Sequence, residues 1–279
     1  PFLGGNFGTA LSEMALHPDD YTVGIIEVSS YQMEFPGTFH PKAACILNLT
    51  PDHLARHKTM DQYREIKLRI FTQQNQNDLA ILPIESPNLS PSQSVQKLYF
   101  NAHPGVKIED GLLSFQLPEG SFNISTETLS IIGTHNLENI AAASLLCVAI
   151  GIDLKRLDYS KITALEHRLE LCPTTDGLFW INDSKATNIE ATQAALKALS
   201  SPLIVLLGGA GKEGADYTLL HPLLKEKAQA VFCFGASGSE IQTQLQTCQY
   251  YYQLEKVKTL KDAMQKARSA ASSTSKILL

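Results

Sequence analysis

The sequence predicts an α/β protein with two domains, each built around a mostly parallel sheet. Short apolar runs typical of buried strands alternate with helical periodicity, most regularly in the C-terminal part, which predicts a Rossmann-like sheet there. Between residues 78 and 124, short apolar segments alternate with Pro, Ser, Asn and Gly, which indicates strands and hairpins flanking the first sheet. The length of 279 residues suits two domains, which we place at residues 1–164 and 165–279.

The composition excludes several kinds of function. The formal net charge is -5 and the Lys and Arg residues are scattered, so we expect no nucleic-acid partner. No apolar stretch reaches the ~20 residues that span a bilayer, so we expect no membrane partner. The five cysteines form no CxxC pair and most lie in apolar runs, as is typical of core residues in a reducing compartment, so we expect a cytoplasmic protein.

The first candidate site lies near the start of the chain, where residues 4–9 read GGNFGT and precede a short predicted helix. The glycines either allow positive φ angles in a turn or let backbone amides face an anion. A continuous apolar run at residues 23–28 is typical of a central parallel strand. Glu27 interrupts this run, so its carboxylate either forms a salt bridge, binds a metal or lies at the open strand end, where ligands bind.

Residues 48–71 read NLTPDHLARHKTMDQYREIKLRIF and join a predicted strand at residues 43–47 to a helix that begins near Met60. Lys67 lies in the apolar stripe of that helix. Either its amine extends to solvent, or burial lowers its pKa and frees a neutral amine that can take up carbon dioxide as a carbamate. A carbamate is an oxygen ligand for a metal, and His53 either shares that metal or is structural.

A long helix is predicted after Gly133, in the segment GTHNLEN. Asn136 or Thr134 could cap this helix. Asn136 and Asn139 also share one helix face, so their amides could together bind the edge of a purine. We expect a short connecting helix to follow at residues 154–165.

Two polar turns are predicted in the second domain. In the first, which reads EHRLE, Arg168 either binds phosphates with its fixed guanidinium or pairs with Glu170 at the surface. The second reads NDSKATN and joins a strand to a helix. Asp183 or Thr187 could cap that helix, but an Asp, a Thr and Lys185 at one strand-to-helix turn can also build a nucleotide site.

A glycine turn, GGAGKE at residues 208–213, follows a predicted strand at residues 203–207. It is not a phosphate-binding P-loop, because that motif needs Gly where Leu206 stands and Ser or Thr where Glu213 stands. Lys212 nevertheless lies at the carboxyl edge of a strand, where it can meet an anionic ligand.

Taken in order, these segments resemble the Mur ligase family over essentially the whole chain. The matching motifs are GNxG, ExSSYQ, DHLxRH followed by YxxxKxRI, GxHNxxN, HRLE, NDSKATN and GGxGK. One position departs from the pattern, since Ala55 stands where the family usually has Asp. NDSKATN is the most specific match, because it resembles the branch that adds D-glutamate. The family's P-loop precedes GNxG, so we expect this sequence to be a fragment of a longer protein.

The resemblance implies a central ATP-binding domain and a C-terminal ligase domain that together join D-glutamate to UDP-N-acetylmuramoyl-L-alanine through an acyl phosphate. It implies ATP and Mg²⁺, or Mn²⁺, as cofactors, and a carbamylated lysine; we expect a monomer. The implied metal ligands are Glu27, His53 and Lys67. The implied ATP-binding residues are Asn136, Asn139, Arg168, Asp183 and Lys185. The implied substrate-binding residues are Asn6, Ser29, Thr187 and Lys212. The implied catalytic residues are His53, Lys67 and His167.

Two alternatives stay open. A sister Mur ligase or a folylpolyglutamate synthase shares the architecture, although NDSKATN argues against both. A non-catalytic nucleotide- or sugar-binding α/β protein also has similar sheets, and nucleotide-dependent phosphate release would separate an enzyme from such a binder.

Overall fold

A computed structural model describes residues 1–84, 89, 91, 94–129, 131–174, 176–211 and 214–279. These residues form two compact units. The first unit comprises Pro1–Ile124 and Glu138–Leu157, and the second unit comprises Ser125–Leu137 and Asp158–Leu279. The domain boundary placed between residues 164 and 165 stays a prediction.

The strands and helices are as follows, in chain order. The strands from the first unit are β1 (Phe2–Gly5), β2 (Gly24–Glu27), β3 (Ala43–Cys45), β4 (Leu79–Pro83), β5 (Gln96–Phe100), β6 (Gly105–Glu109), β7 (Leu112–Leu117) and β8 (Gly120–Ser125). The strands of the second are β9 (Glu170–Cys172), β10 (Phe179–Asn182), β11 (Leu203–Gly208), β12 (Ala228–Phe234), β13 (Gln253–Lys256) and β14 (Lys276–Leu278). The helices are α1 (Leu11–Leu16), α2 (Leu54–His57), α3 (Met60–Leu68), α4 (Thr134–Val148), α5 (Ile189–Ala198), α6 (His221–Lys227), α7 (Gly238–Gln246) and α8 (Leu260–Ala270). Each helix among the described residues is too short or too polar to cross a bilayer.

The first unit contains two sheets. β1 and β2 form a parallel pair, and β3 to β8 form a six-stranded sheet in chain order. β3 to β6 run parallel, whereas β6 and β7 form an antiparallel hairpin around Asp110 and Gly111, whose φ angles of 48° and 73° suit a tight turn. The structure therefore confirms the hairpin and the flanking strands predicted for this region.

β2 is not the central, buried strand that its apolar sequence predicts. Among the described residues it pairs only with β1, and the Ile25 side chain is 54% exposed. An apolar run permits burial, but burial also requires a neighbouring strand and a covering layer. β4 has both, since all its residues are buried and Ala80 and Leu82 pack with Phe71 in one core.

The second unit has the Rossmann-like arrangement that the sequence predicts. Its sheet has the order β13-β12-β11-β14-β10-β9, and of these described strands only β9 runs antiparallel to its neighbour. Successive residues of β11 face opposite sides of the sheet, so that Val205 joins a core with α5, α6 and α7 while Leu206 joins a core with α8. Helices on both faces explain why the central strands are continuous apolar runs.

The carboxyl ends of the parallel strands meet at one edge of this second sheet. From β11 the chain moves outward to β12 and β13, and α8 then returns it to β14 on the other side of β11, so the strand order reverses between β11 and β14. Ligands of open α/β sheets bind in the crevice outside such strand ends. The turns that follow β10 and β11 are therefore the places where a ligand of this unit is expected.

The prediction of a connecting helix at residues 154–165 is wrong. The segment forms two separate 3₁₀ turns, Leu154–Arg156 and Tyr159–Lys161. The side chains of Asp153 and Asp158 each accept a backbone N–H two residues later, at 3.1 and 3.2 Å. Such bonds close a short local turn in competition with an α-helix.

Candidate active site

Asn6 and Glu27 lie together at the ends of the paired strands β1 and β2. The backbone N–H of Asn6 donates to Glu27 O at 2.8 Å, and Asn6 Nδ2 donates to Glu27 Oε1 at 3.0 Å. Gly5 is required here, because its φ is +108° and a Cβ would lie 2.3 Å from Glu27 O. The Glu27 side chain is exposed and forms no salt bridge with the described residues, so it can face a ligand.

Ser29 follows β2 and is held in a local turn. Its backbone N–H and its hydroxyl donate to Gln32 Oε1 at 2.9 and 3.1 Å. The next residue, Ser30, is buried and contacts His57. Sequence reasoning gave Ser30 and His57 no role, although both lie within motifs that it had identified.

His53 and Lys67 both contact one tyrosine of the first unit. The Tyr63 ring centroid lies 6.4 Å from that of His53, and Lys67 Nζ lies 5.3 Å from the Tyr63 centroid. Tyr31 meets His53 edge-on, with 5.2 Å between the ring centroids. His53 also has a left-handed backbone, with a φ of 56°, at the start of α2. The structure thus brings two of the three predicted metal ligands to the same side chain.

The amine of Lys67 is partly buried. Burial lowers the pKa of the Lys67 ammonium below its ordinary value, while the Asp52 carboxylate raises it and offsets part of this shift. A lowered pKa enlarges the neutral fraction of the amine, which is the form that can take up carbon dioxide. The structure therefore favours the buried alternative for Lys67 over a side chain extended into solvent.

The residue types around His53 suit a hard divalent cation, but they do not form a compact protein cage. Asp52 Oδ1 accepts the backbone N–H of His53 at 2.8 Å, and Asp52 Oδ2 lies 3.7 Å from His53 Nε2, so a carboxylate lies beside the imidazole. Oxygen and imidazole ligands fit Mg²⁺ or Mn²⁺. The described residues nevertheless contain no group of three or more His, Cys, Asp or Glu side chains that could hold a metal ion. The grouping of Glu27 with His53 and Lys67 stays a prediction.

In the second unit the two polar turns are bonded to each other. The backbone N–H of Leu169 donates to Asp183 Oδ1 at 3.0 Å, and that of Lys185 donates to His167 O at 3.1 Å. The backbone N–H of Asp183 donates to Leu279 O at 2.6 Å, which ties the second turn to the end of β14. The structure therefore brings His167, Asp183 and Lys185 together at the carboxyl edge of the sheet.

Arg168 lies in the same pair of turns and does not form the surface pair with Glu170. The Glu170 carboxylate instead accepts the backbone N–H of His167 at 2.8 Å and the Asn182 amide at 3.3 Å. Arg168 Nε is buried and has no hydrogen-bond partner among the described residues. A buried donor without a partner is destabilising, and a guanidinium is well suited to carboxylate or phosphate oxygens. The predicted contact of Arg168 with a phosphate stays a prediction.

Asp183 is 8% exposed, and burial raises the pKa of its carboxyl, although the Leu169 N–H and the Arg168 charge oppose the rise.

α5 is capped by Asn188, whose Oδ1 accepts a backbone N–H of the first turn at 2.8 Å. Neither Asp183 nor Thr187 is therefore the helix cap. Thr187 is exposed directly before the cap, where its hydroxyl is accessible to a ligand.

Asn136 lies in the first turn of α4 and is 8% exposed. Its Nδ2 donates to Ile132 O at 2.8 Å, which ties the start of the helix to the preceding segment. Asn139 follows along the same helix and is partly buried. The predicted contact of these amides with a purine stays a prediction.

The glycine turn after β11 packs closely against the turn after β12. A Cβ on Gly208 would lie 2.3 Å from Phe234 O, so only glycine fits at that position. Ser237 Oγ donates to Gly209 O at 3.2 Å, which joins the two turns. Sequence reasoning missed Ser237, because a serine after a strand carries no motif signal of its own. Lys212 lies outside the described residues.

The parallel sheets, and the polar turns at the carboxyl edge of the second one, define an α/β protein of the class whose ligands bind at strand ends. Residues 7–147 match the Mur ligase middle domain, and residues 167–279 match the Mur ligase glutamate ligase domain. The chain therefore belongs to the Mur ligase family, which confirms the resemblance carried by its motifs.

Two curated relatives carry the same name. UDP-N-acetylmuramoylalanine–D-glutamate ligase of Koribacter versatilis is 36% identical over 275 residues, which cover 95% of this chain and 60% of that protein. The enzyme of the same name from Alkaliphilus metalliredigens is 35% identical over 286 residues, covering 99% of this chain and 62% of that protein. The chain thus spans about three fifths of the length of these relatives.

Solved structures share the fold at low sequence identity. The MurF ligase from Thermotoga maritima in complex with ADP has a TM-score of 0.74 and 18% identity, covering 99% of this chain and 69% of that chain. A pseudomurein peptide ligase type C from Methanothermus fervidus has a TM-score of 0.72 and 15% identity, covering 91% and 64%. These likenesses confirm the mostly parallel α/β architecture predicted for both parts of the chain.

Proposed function

We propose that the chain is the larger part of an ATP-dependent ligase that adds D-glutamate to UDP-N-acetylmuramoyl-L-alanine in the cytoplasm, during synthesis of the peptidoglycan precursor. The names of the relatives and the NDSKATN turn support this substrate pair. The single observation that carries the proposal is that the HRLE and NDSKATN turns are bonded to each other at the carboxyl edge of the second sheet, through Leu169 N–H to Asp183 and Lys185 N–H to His167 O. Such an edge is where the ligands of open α/β sheets bind, and the two turns carry the cations Arg168 and Lys185 that would pair with nucleotide phosphates.

The proposed reaction has two steps. The L-alanyl carboxylate attacks the γ-phosphorus of ATP, which forms an acyl phosphate and releases ADP. The amine of D-glutamate then attacks the acyl carbon, and the tetrahedral intermediate collapses to the amide as phosphate leaves. Neither step forms a covalent bond to the protein, so catalysis depends on positioning and on stabilisation of charge.

The second unit would supply most contacts to ATP and to the amino acid. Arg168 and Lys185 would neutralise phosphate oxygens, and Asp183 would keep the two turns closed through its bond to Leu169. His167 would contact the reacting groups at the same edge. The remaining proposed contacts are those of Asn136 and Asn139 with the purine, and of Thr187 and Lys212 with the carboxylates of D-glutamate.

The first unit would hold the metal and the muramoyl substrate. Glu27, His53 and a carbamylated Lys67 are the proposed metal ligands, with Asn6 fixing the Glu27 carboxylate and Ser29 contacting substrate. When bound, Mg²⁺ or Mn²⁺ would neutralise the charge that develops on the transferred phosphoryl group.

The test measures phosphate release by the complete natural protein with ATP, UDP-N-acetylmuramoyl-L-alanine and one amino acid at a time. We expect turnover with D-glutamate and none with L-glutamate, L-alanine, L-lysine or diaminopimelate. Arg168→Gln should lower kcat/KM for ATP by about ten- to a hundredfold, which is the loss expected when one charge-assisted hydrogen bond is removed. Arg156→Gln is the matched control, because Arg156 is exposed.

Two outcomes would contradict this proposal. Preferred turnover with another of the amino acids would make the chain a sister ligase. Binding of ATP with no phosphate release under any of these conditions would make it a non-catalytic nucleotide-binding protein.

A further inference from the structure

His167 belongs to a group of four residues at the end of β10, together with Glu170, Asn182 and Ser184. Asn182 and Glu170 are paired across β10 and β9, so their side chains lie on the same face of the sheet. Asn182 Nδ2 lies 2.8 Å from His167 Nδ1, and Asn182 Oδ1 lies 3.1 Å from the Ser184 N–H nitrogen. The amide of Asn182 therefore connects the ring to the NDSKATN turn.

The two ends of the Asn182 amide have different partners, which fixes its orientation. Oδ1 accepts the backbone N–H of Ser184, as an Asx turn requires. Nδ2 lies 3.3 Å from Glu170 Oε2 and donates to it. The reversed orientation would set an NH₂ group against an N–H and an amide oxygen against a carboxylate oxygen. Both contacts would then be repulsive, so the amide nitrogen must face His167.

The orientation of Asn182 decides which nitrogen of His167 carries the proton. Because the amide group facing Nδ1 is a donor, Nδ1 must accept, and the neutral ring then carries its hydrogen on Nε2. Glu170 Oε2, 3.4 Å from Nδ1, is a competing acceptor that would favour the other tautomer. That oxygen already accepts the His167 backbone N–H at 2.8 Å and the Asn182 amide, and an Nδ1–H would also oppose the Asn182 amide at 2.8 Å.

The backbone of His167 is held in place by local contacts. Its φ of 65° lies in the left-handed region. Its N–H donates to Glu170 and its carbonyl accepts the Lys185 N–H at 3.1 Å. The side chain is 53% exposed, so the ring is accessible at the edge of the sheet where ligands bind.

We propose that Asn182 is a positioning residue that holds His167 as its Nε2–H tautomer, so that His167 donates a hydrogen bond to an anionic ligand oxygen and does not act as a base. The donor role follows because the lone pair of Nδ1 is used by Asn182 and Nε2 carries a hydrogen. The identity of the oxygen rests on the proposed function, in which it belongs to a D-glutamate carboxylate or to the acyl phosphate.

The first experiment determines the tautomer by long-range ¹H–¹⁵N correlation of the complete natural protein labelled with ¹⁵N-histidine, at a pH where the ring is neutral. His167→Gln identifies the signals by removing them. We expect the wild type to carry hydrogen on Nε2. Asn182→Asp replaces the donor with an acceptor of almost the same shape, so the hydrogen should move to Nδ1.

Asn182→Ala is the second variant, in case the aspartate variant does not fold. It removes the donor and leaves Glu170 facing Nδ1, so it should also shift the hydrogen to Nδ1. A wild-type ring with hydrogen on Nδ1, or a tautomer that neither variant changes, would overturn the role of Asn182.

The second experiment separates a donor from a base in the complete natural protein. A glutamine amide can donate from a position near that of Nε2 but cannot take up a proton. His167→Gln should therefore keep kcat/KM for D-glutamate within about tenfold of the wild type, whereas His167→Ala should lose about a hundredfold. Equal losses in both variants would contradict the donor role.

Steady-state kinetics of His167→Ala, with each substrate varied in turn, identify the ligand oxygen to which His167 donates. A His167→Ala defect confined to the KM for D-glutamate would assign it to the amino acid, and a defect in kcat would assign it to the acyl phosphate. If the protein prefers a different amino acid, the proposed function fails, but the tautomer measurement still tests Asn182. If the tautomer is wrong while D-glutamate is used, only this inference fails.

Discussion

Ser30 Oγ lies 2.9 Å from His57 Nε2, in a buried contact that joins the turn after β2 to α2. His57 Nδ1 also lies 3.8 Å from Glu34 Oε1, and its ring stacks on Tyr63 with 5.2 Å between centroids. At 3% exposure, His57 thus connects the segment after Glu27 to the helix that carries the candidate lysine. The imidazole therefore takes part in the internal packing of the first unit.

Replacing His57 should destabilise the first unit in two distinguishable ways. His57→Phe keeps a ring on Tyr63 but leaves the buried Ser30 hydroxyl without its partner, so the free energy of unfolding should fall by about 1–3 kcal/mol. His57→Ala also removes the ring and should cost about 2–5 kcal/mol. Urea unfolding followed by circular dichroism measures both, with exposed His17→Ala as the control. A phenylalanine variant as stable as the wild type would show that the contact with Ser30 contributes nothing.

Lys67→Ala should remove most of the ligase activity of the complete natural protein, and added acetate should restore part of it. A diffusible carboxylate can replace the oxygen ligand that a carbamate would supply. ¹³C-labelled bicarbonate should also give a carbamate resonance in the wild type that is missing in Lys67→Ala. Lys58→Ala is the control, because Lys58 is exposed and its amine donates to Ala55 O. Full activity of Lys67→Ala would show that Lys67 is a packing residue and not a metal ligand.

Asp183→Asn should change the dependence of stability on pH. Burial raises the pKa of Asp183 in the folded state above the value of about 3.9 found in unfolded chains. Between these two pKa values the folded state holds more protons. The contribution of Asp183 is therefore fully present below about pH 3.9 and is lost as pH rises through the folded pKa.

The asparagine variant keeps an oxygen that can accept the Leu169 N–H, but it does not titrate. Its free energy of unfolding, relative to the wild type, should therefore increase as the pH rises above about 4. Urea denaturation of both proteins over a series of pH values measures this difference. A difference that stays constant with pH would mean that Asp183 has the same pKa in the folded and unfolded states.

Gly5→Ala should be much more destabilising than Gly37→Ala. Both glycines have positive φ, at 108° and 56°, so alanine is strained at each. Gly37 has nothing within 4 Å of an added Cβ, so its substitution should cost about 1 kcal/mol. At Gly5 the Cβ would lie 2.3 Å from Glu27 O, which should raise the cost above about 3 kcal/mol. Thermal unfolding of the two variants makes the comparison, and equal losses would mean that the clash relaxes freely.

The sequence predicted those elements whose signals are local. The Asp110–Gly111 hairpin needs only a two-residue turn between apolar segments, and the NDSKATN turn needs only a strand before it and a helix after it. The burial of β2 was predicted wrongly, because an apolar run does not reveal whether a strand has neighbours on both sides.

The contacts within the candidate site depend on backbone geometry that no motif reveals. Proximity in sequence left a pair between Arg168 and Glu170 open as the alternative to phosphate binding. The left-handed backbone of His167 instead directs its own N–H to Glu170, and Arg168 Nε is left buried without a described partner. The contact of His167 with Asn182 joins residues far apart in the sequence and could be found only from the structure.

β14 comes last in the chain among the described strands, yet it lies in the middle of the second sheet, between β11 and β10. Until residues 276–278 are present, β9 and β10 have no hydrogen-bonded connection to β11, β12 and β13. Residues 276–278 are synthesised after the other described strands, so until they emerge from the ribosome β10 and β11 present exposed strand edges. Such edges pair readily with other chains.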